Sequence, residues 1–386
     1  MVWVWISPGD DQFGTARVTT SLVPLLNQGD HHCRLLVGNG QPMRERCRRE
    51  GIAFEEISVS LHEWTRPSCL LKALPAFLNH RAQSKVDARM IRDHLRPATC
   101  QALLFQQLPL VPMISYLARI LSCPAYWLIP NFIGDGYPLD LNKHLYQWYC
   151  QWGGITPLAN SRPTAESLGH SWIRPEVLPL GAHPEVFHPD AVPAADALPG
   201  VQAGDVVFGI FGRVIPEKGQ DRFFEGLLRL HTKVPLHLLV CGGPPDGATA
   251  RRLKELSHRH GATHRLHLMP ETEDPRPYYP HVDIAVNSRI TPEPFGLSVV
   301  EAMMMKKPVL AHASGGPSEI IVDGQTGWLS PSSDPDAFRM TIKRCLADRP
   351  HWHRMGEKAR ERACRQFDIR QTAQSLTARI LRDQKT

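Results

Sequence analysis

Between residues 290 and 330 the chain reads ITPEPFGLSVVEAMMMKKPVLAHASGGPSEIIVDGQTGWLS. A Pro-containing loop holds Glu293, Pro294-Phe295-Gly296 opens a helix containing Glu301, and Pro308–Ala311 forms a short buried strand. A Gly315-Gly316 turn and a second helix start at Pro317-Ser318-Glu319 follow. This alternation sets helix N-termini where strands end. Free backbone N–H groups at a helix start favour anionic ligands. Carboxylates beside them accept hydrogen bonds from hydroxyls, so a ligand carrying both phosphates and hydroxyls, such as a nucleotide sugar, fits both. Taken singly, Glu293 could merely cap a helix and Glu301 face solvent; the flanking Phe-Gly-Leu, Gly-Gly-Pro and Asp-Gly-Gln-Thr-Gly spacings favour the site.

Upstream, Val206–Phe211 is an apolar strand followed at once by Gly212-Arg213, then Lys218-Gly219, then a helix from about Gln220 to Leu230. A strand end, a glycine, two spaced cations and a helix start make a diphosphate clamp. Arg engages phosphate oxygens bidentately, and Lys supplies a point charge. Leu236–Cys241, Arg265–Leu268 and Val282–Val286 are the next strands, with a basic amphipathic helix running to about His260. Met303, Met304 and Met305 read as core.

The first half opens in the same way. Val2–Ile6 is a strand, Pro8–Thr15 a loop, Ala16–Asn27 a helix and Cys33–Val37 a second strand, the start of a doubly wound sheet. Ala102–Phe105, Ala125–Ile129, Ile155–Asn160 and Val177–Leu180 continue it, with a helix over Val111–Leu121. Of Trp3, Trp5, Trp64, Trp127, Trp148, Trp152 and Trp172, those at 3, 5 and 127 fall on strands and read as core, and Trp64 is the better surface candidate to face a sugar ring. Arg44, Arg46, Arg48 and Arg49, then Arg81, Lys85, Arg89, Arg92 and Arg96, give two basic helices. Interleaved acids make a solvated face the plainer reading, although such helices would also suit anionic lipid headgroups.

A length of 386 residues calls for two domains. A net charge of +6, spread over both halves, argues against a nucleic-acid partner. Nine cysteines without a Cys-x-x-Cys pair or metal spacing read as reduced thiols of a cytoplasmic protein. The opening MVWVWISPGD lacks a basic leader region. Gln and Pro interrupt the apolar run at 101–133, so no membrane span is expected. The expected location is cytoplasmic, with peripheral contact at the inner membrane face through the basic helices.

E-P-F-G-L-S-V-V-E-A-M followed by G-G-P-S-E-I-I-V-D-G-Q-T-G-W-L resembles the E-x7-E region of retaining glycosyltransferases of the GT4 type. The Gly212-Arg213 to Lys218-Gly219 spacing matches that family's diphosphate-holding pair. The resemblance implies an α/β chain of GT-B fold, with two Rossmann-like doubly wound domains facing across a cleft. Residues 1–185 would form the acceptor-side domain, residues 186–366 the nucleotide-sugar domain, and residues 367–386 a helix crossing back to the first. It implies transfer of a sugar from a UDP- or GDP-sugar to a hydroxyl of a saccharide or lipid-linked acceptor, with retention and without metal or other cofactor.

On the same footing Arg213, Lys218 and Glu293 would be catalytic. Gly14, Gly212, Met269, Phe295, Gly296, Leu297 and Glu301 would complete the donor site, with Glu293 on the sugar, Glu301 on the ribose and Met269 near the base. The family places a Gly-Gly pair in the first loop, where only Gly14 of Gln12-Phe13-Gly14 matches. It also places a His after each of two first-domain strands, where this chain has Gln106-Gln107 and Pro130-Asn131. Gln107, Asn131 and Trp64 are the acceptor-side candidates. Two other readings keep the fold: a nucleotide-sugar epimerase or hydrolase, or a non-catalytic sugar-nucleotide-binding subunit, the latter motivated by the missing histidines.

Overall fold

The computed structural model describes all residues except 12, 29–30, 59–69, 96–99, 135–140, 273 and 385–386; Trp64 and Gln12 lie outside the described residues. The chain forms two compact units, Met1–Leu180 with Ile369–Thr386, and Gly181–Asp368.

The first unit holds strands β1 (Val2–Ser7), β2 (His32–Val37), β3 (Glu55–Glu56), β4 (Ala102–Phe105), β5 (Ala125–Ile129), β6 (Ile155–Ala159) and β7 (Glu176–Val177). They pair in the order 3-2-1-4-5-6-7, with every neighbour parallel. Helices α1 (Gly14–Leu26), α2 (Gln41–Glu50), α3 (Leu70–His94), α4 (Val111–Leu121), α5 (Leu141–Gly153) and α6 (Arg162–Leu168) connect them. Parallel strands covered on both faces need apolar side chains on both faces, and Trp3, Trp5, Trp127 and Tyr126 are fully buried. The last strand differs from expectation. It covers Glu176–Val177 rather than Val177–Leu180: these two residues pair with Leu158 and Ala159, and the ladder closes where Leu178 N–H donates to the Ala159 carbonyl at the end of β6.

The short strand β3 answers the basic helix α2. Glu56 accepts from Arg44 at 2.8 Å and Arg48 at 2.9 Å, while Glu55 takes Arg34 of β2 at 2.6 Å. Arg46 pairs with Glu50 at 2.7 Å. These arginines therefore sit in ion pairs rather than forming an uncompensated cationic face.

The second unit repeats the wiring with β8 (Val206–Phe211), β9 (Leu236–Cys241), β10 (Leu266–Met269), β11 (Ile284–Asn287), β12 (Val309–His312) and β13 (Gly327–Ser330), all parallel, in the order 10-9-8-11-12-13. Its helices are α7 (Gln220–Leu228), α8 (Ala248–Arg259), α9 (Leu297–Met304), α10 (Pro317–Ile320), α11 (Pro335–Ala347) and α12 (Trp352–Gln366). Gly356 lets α12 lie directly on the Lys306 carbonyl after α9, where a Cβ would overlap it. Arg360 of the same helix donates to the Met304 carbonyl at the end of α9. The final helix, α13 (Ile369–Asp383), belongs to the first unit, where Thr372 donates to the Pro179 carbonyl at 2.9 Å and Tyr126 donates to Asp383 at 2.9 Å. Among the described residues no helix is long and apolar enough to cross a membrane.

In each unit the strand order reverses once, between β1 and β4 and between β8 and β11. Open α/β sheets bind ligands at the carboxyl ends of the strands flanking that reversal.

At the opposite, amino-terminal edge of the second sheet, buried His237 and His267 form a chain with Asp205: His237 Nε2 lies 3.2 Å from Asp205 Oδ2 and Nδ1 lies 3.1 Å from His267 Nε2. Neutral rings satisfy every contact if His267 donates to His237 and His237 to Asp205. Burial, followed by the neighbouring His237 and His264, pushes His267 down to about 4; burial also lowers His237 against the pull of Asp205. A histidine that stays neutral when folded contributes stability present above its ordinary range, near 6.5, and lost as pH falls toward the folded value. Denaturation midpoints of the wild type should therefore fall between pH 6.5 and about 4, and His267→Gln should flatten that part of the profile.

Candidate functional site

The carboxyl end of β8 is shaped by glycine. Gly212 has φ +146, and its N–H donates to the Cys241 carbonyl at 3.0 Å. The neighbouring Gly242 packs on the Gly212 carbonyl so closely that any Cβ would overlap it. Arg213 follows with its carbonyl held by Gln220 Nε2 at 2.7 Å, and its side chain is exposed. The backbone of the loop after β8 is thus fixed around Arg213.

Lys218 is placed by a second close approach. Gly219, at φ +63, seats against the Ser288 carbonyl with no room for a Cβ. Ser288 Oγ donates to the Lys218 carbonyl at 2.7 Å, and Ile290 N–H donates to the Glu217 carbonyl at 3.0 Å. The loop after β8 is therefore stitched to the loop after β11, across the reversal in strand order.

Glu293 sits in that second loop. It pairs through its backbone with Gly315 in an isolated parallel bridge; Gly316 N–H donates to the Glu293 carbonyl at 2.8 Å, and Glu293 N–H donates to Ser314 at 3.3 Å. So anchored, its carboxylate accepts from Lys218 Nζ at 2.8 Å and Asn287 Nδ2 at 3.4 Å, and Arg289 Nη1 stands 3.6 Å from its other oxygen. Burial acts to raise the Glu293 carboxyl, but the Lys218 and Arg289 charges outweigh it and hold the group below the usual glutamate range. It remains an anion and a pure acceptor at neutral pH. Two cations on one carboxylate leave a positive charge over.

Phe295 is buried, and Gly296, at φ +106, precedes α9, whose first residue is Leu297. Val299 and Val300 N–H donate to the Gly296 carbonyl at 2.9 and 3.2 Å, and the N–H groups of Leu297 and Ser298 precede the first acceptor within the helix. Glu301 lies on the same helix and is only 2% exposed, among Val299, Val300, Met303 and Met304 of the core. Met269 closes β10, half-buried, opposite Cys241. The second unit thus brings together Gly212, Lys218, Glu293, Phe295, Gly296 and Leu297 at the ends of β8 and β11 and the start of α9. Asn287 and Arg289, which the sequence reading left out, join them. The Asn287-Ser288-Arg289 signal was a polar cluster directly after an apolar strand.

In the first unit Gly14 begins α1. Gln106 is buried and donates to the Thr15 carbonyl at 3.0 Å and Thr19 Oγ1 at 2.7 Å, an architectural role. Gln107 instead donates to Asp11, which also accepts from Ser7 Oγ at 3.2 Å and Thr15 Oγ1 at 3.0 Å. Burial raises the Asp11 carboxyl above its ordinary value despite these donors. Asp11, at the carboxyl end of β1, was missed by sequence reasoning. Asn131 is exposed just beyond β5.

Gly315→Ala should displace Glu293, since residue 315 has φ +78 and its Cβ would fall on the Glu293 backbone. Such overpacking with backbone strain costs about 2–4 kcal/mol, measurable as a drop in urea midpoint; an unchanged midpoint would show that the 293–315 bridge is dispensable.

Residues 197–362 match the family model described as glycosyl transferases group 1. Over 206 residues the chain is 31% identical to a D-inositol 3-phosphate glycosyltransferase of Nocardia farcinica, covering 52% of this chain and 46% of that protein. Over 210 residues it is 29% identical to the lipopolysaccharide core biosynthesis mannosyltransferase LpcC of Rhizobium leguminosarum bv. viciae, covering 52% and 58%. The chain spans about half the length of these curated relatives. Among solved structures, Anabaena HepE in complex with UDP superposes with a TM-score of 0.77 over 98% of this chain and 99% of that one, at 17% identity. The resemblance read from the motifs holds at the level of the fold and of the second unit: the two parallel sheets have the GT-B fold, and residues 197–362 match the glycosyl transferases group 1 model.

Proposed function

We propose that the chain is a retaining glycosyltransferase that moves a sugar from a nucleoside diphosphate sugar to an acceptor hydroxyl of a saccharide or glycolipid. The observation that carries this reading is the Lys218–Glu293–Arg289 cluster at the strand-order reversal of the second unit, beside the open N-terminus of α9. Lys218 and Arg213 stabilise the charge that develops on the departing diphosphate. The α9 N–H groups add a fixed positive dipole. Glu293, kept ionised by Lys218 and Arg289, accepts from sugar hydroxyls, and Glu301 accepts from the ribose. Because Glu293 and the phosphate share Lys218, donor binding trades part of the ion pair for a phosphate contact. Retention follows from attack on the same face as the departing diphosphate, which itself assists the incoming hydroxyl.

The likeness to a protein seen with UDP favours a uridine donor. The reading needs no metal, since Arg213 and Lys218 supply the charge. The chain's one Asp-x-Asp sequence is otherwise engaged: Asp334 caps α11 by accepting from Ala337 N–H at 2.8 Å, and Asp336 pairs with Arg229 and Arg339. The reading also places the protein in the cytoplasm, where nucleotide sugars are its donor pool, with any membrane contact peripheral.

Glu293→Gln, Arg213→Ala and Lys218→Ala should each lower transfer to a saccharide and glycolipid acceptor panel by roughly 100-fold or more, with far-ultraviolet circular dichroism unchanged. Wild-type rates in all three would reject the site. A thermal-shift panel of UDP, GDP, ADP, TDP and their sugar conjugates should show one nucleotide series raising the melting temperature equally with and without magnesium, lost in Glu301→Ala. A shift without turnover on any acceptor would point to the non-catalytic subunit, and release of free sugar or isomer to the hydrolase or epimerase.

A further inference from the structure

The nine cysteines are scattered in the sequence, but two of them meet in the fold. Cys100 stands just before β4 and Cys123 just before β5. These strands are parallel neighbours, with Leu103 opposite Ala125, and Leu103 N–H donates to the Pro124 carbonyl at 3.0 Å. That pairing draws the turn ahead of β5 onto the start of β4 and sets the two sulfurs 3.9 Å apart. Cys100 is half-buried, with its S–H 3.4 Å (Sγ to O) from the Ala102 carbonyl, whereas Cys123 is 9% exposed. Among the described residues no group of three or more His, Cys, Asp or Glu side chains is placed to hold a metal ion.

We propose that Cys100 and Cys123 form a reversible dithiol–disulfide couple whose oxidant is a small-molecule disulfide. The two thiols are unequal in the way such a couple requires. Cys123 S–H donates to the Cys100 sulfur, and this contact, with help from the nearby Arg34 guanidinium, outweighs burial and holds the Cys100 thiol below its usual range. The same contact, with burial, pushes the Cys123 thiol up. A thiolate that is both accessible and low in pKa is the attacking group. Cys100 thiolate attacks one sulfur of the oxidant, forming a mixed disulfide and expelling one thiolate, which takes up the proton Cys100 has lost. Cys123 then loses its proton and attacks Cys100 Sγ, forming the Cys100–Cys123 bond; the second small thiol leaves with that proton. Two protein thiols are oxidised and one disulfide is reduced to two thiols. The sulfurs must close by about 2 Å to reach bonding distance, a displacement that side-chain rotation supplies.

The bond would staple the amino ends of the two strands whose carboxyl ends present Gln107 and Asn131. The test is a titration of the full chain in glutathione buffers of rising oxidised fraction, followed by alkylation and non-reducing peptide mapping. The expected result is a Cys100–Cys123 linked peptide, loss of two of the nine thiols, full reversal by dithiothreitol, and a melting temperature raised by about 5 °C. Cys123→Ser should instead accumulate glutathione on Cys100. A wild-type chain that retains glutathione stably on Cys100, links Cys100 to another cysteine, or stays fully reduced across the series would overturn the proposal.

Discussion

The Lys218–Glu293–Arg289 cluster depends on contacts between backbones: Glu293 lies against Gly315 and Phe295 against Gly316, with no space for a Cβ on either glycine. A carboxylate on a free loop would find its cation by lowering its own entropy, and exposed pairs of that kind are worth little. Here the loop is pinned on both sides. The bridge to residue 315 fixes where Glu293 starts, and the Gly219–Ser288 approach fixes where Lys218 starts. The 2.8 Å ion pair is therefore inherited from main-chain packing, which holds both charges in place.

The two units run the same strand order yet hold different chemistry at equivalent places. After β8 and β11 the chain presents Lys218 and Arg289 around one carboxylate. After β1 and β4 it presents Asp11 and Gln107, neutral or acidic, with a carboxyl whose burial favours its protonated form. Fold alone does not assign function.

Much of this was legible from the residues. β4, β5, β8 and β9 fall on the expected limits because strands buried on both faces leave unbroken apolar runs between turn residues. β3 was not foreseen: Glu55-Glu56 carries no apolar pattern, and its place is set by arginines on β2 and α2. The site was legible as motifs but not as contacts. Lys218 and Glu293 are 75 residues apart in sequence, and only the adjacency of β8 and β11 brings them together. The departure from the expected histidines is now more specific, since Gln106 supports α1 and Gln107 engages Asp11. Asp11 left no signal because an acid in a strand-end loop is ordinary.

The first unit is not contiguous in sequence. Its core includes Leu376 and Ile380 of α13, both fully buried, and the residues between 180 and 369 belong entirely to the other unit. On a ribosome, synthesis proceeds from the amino terminus and domains usually close in that order. In this chain the order is inverted: residues 181–368 can complete their own sheet and core while residues 1–180 still wait for the helix that covers them. The earlier-made half waits longest, with Tyr126 lacking its Asp383 partner until α13 has been made.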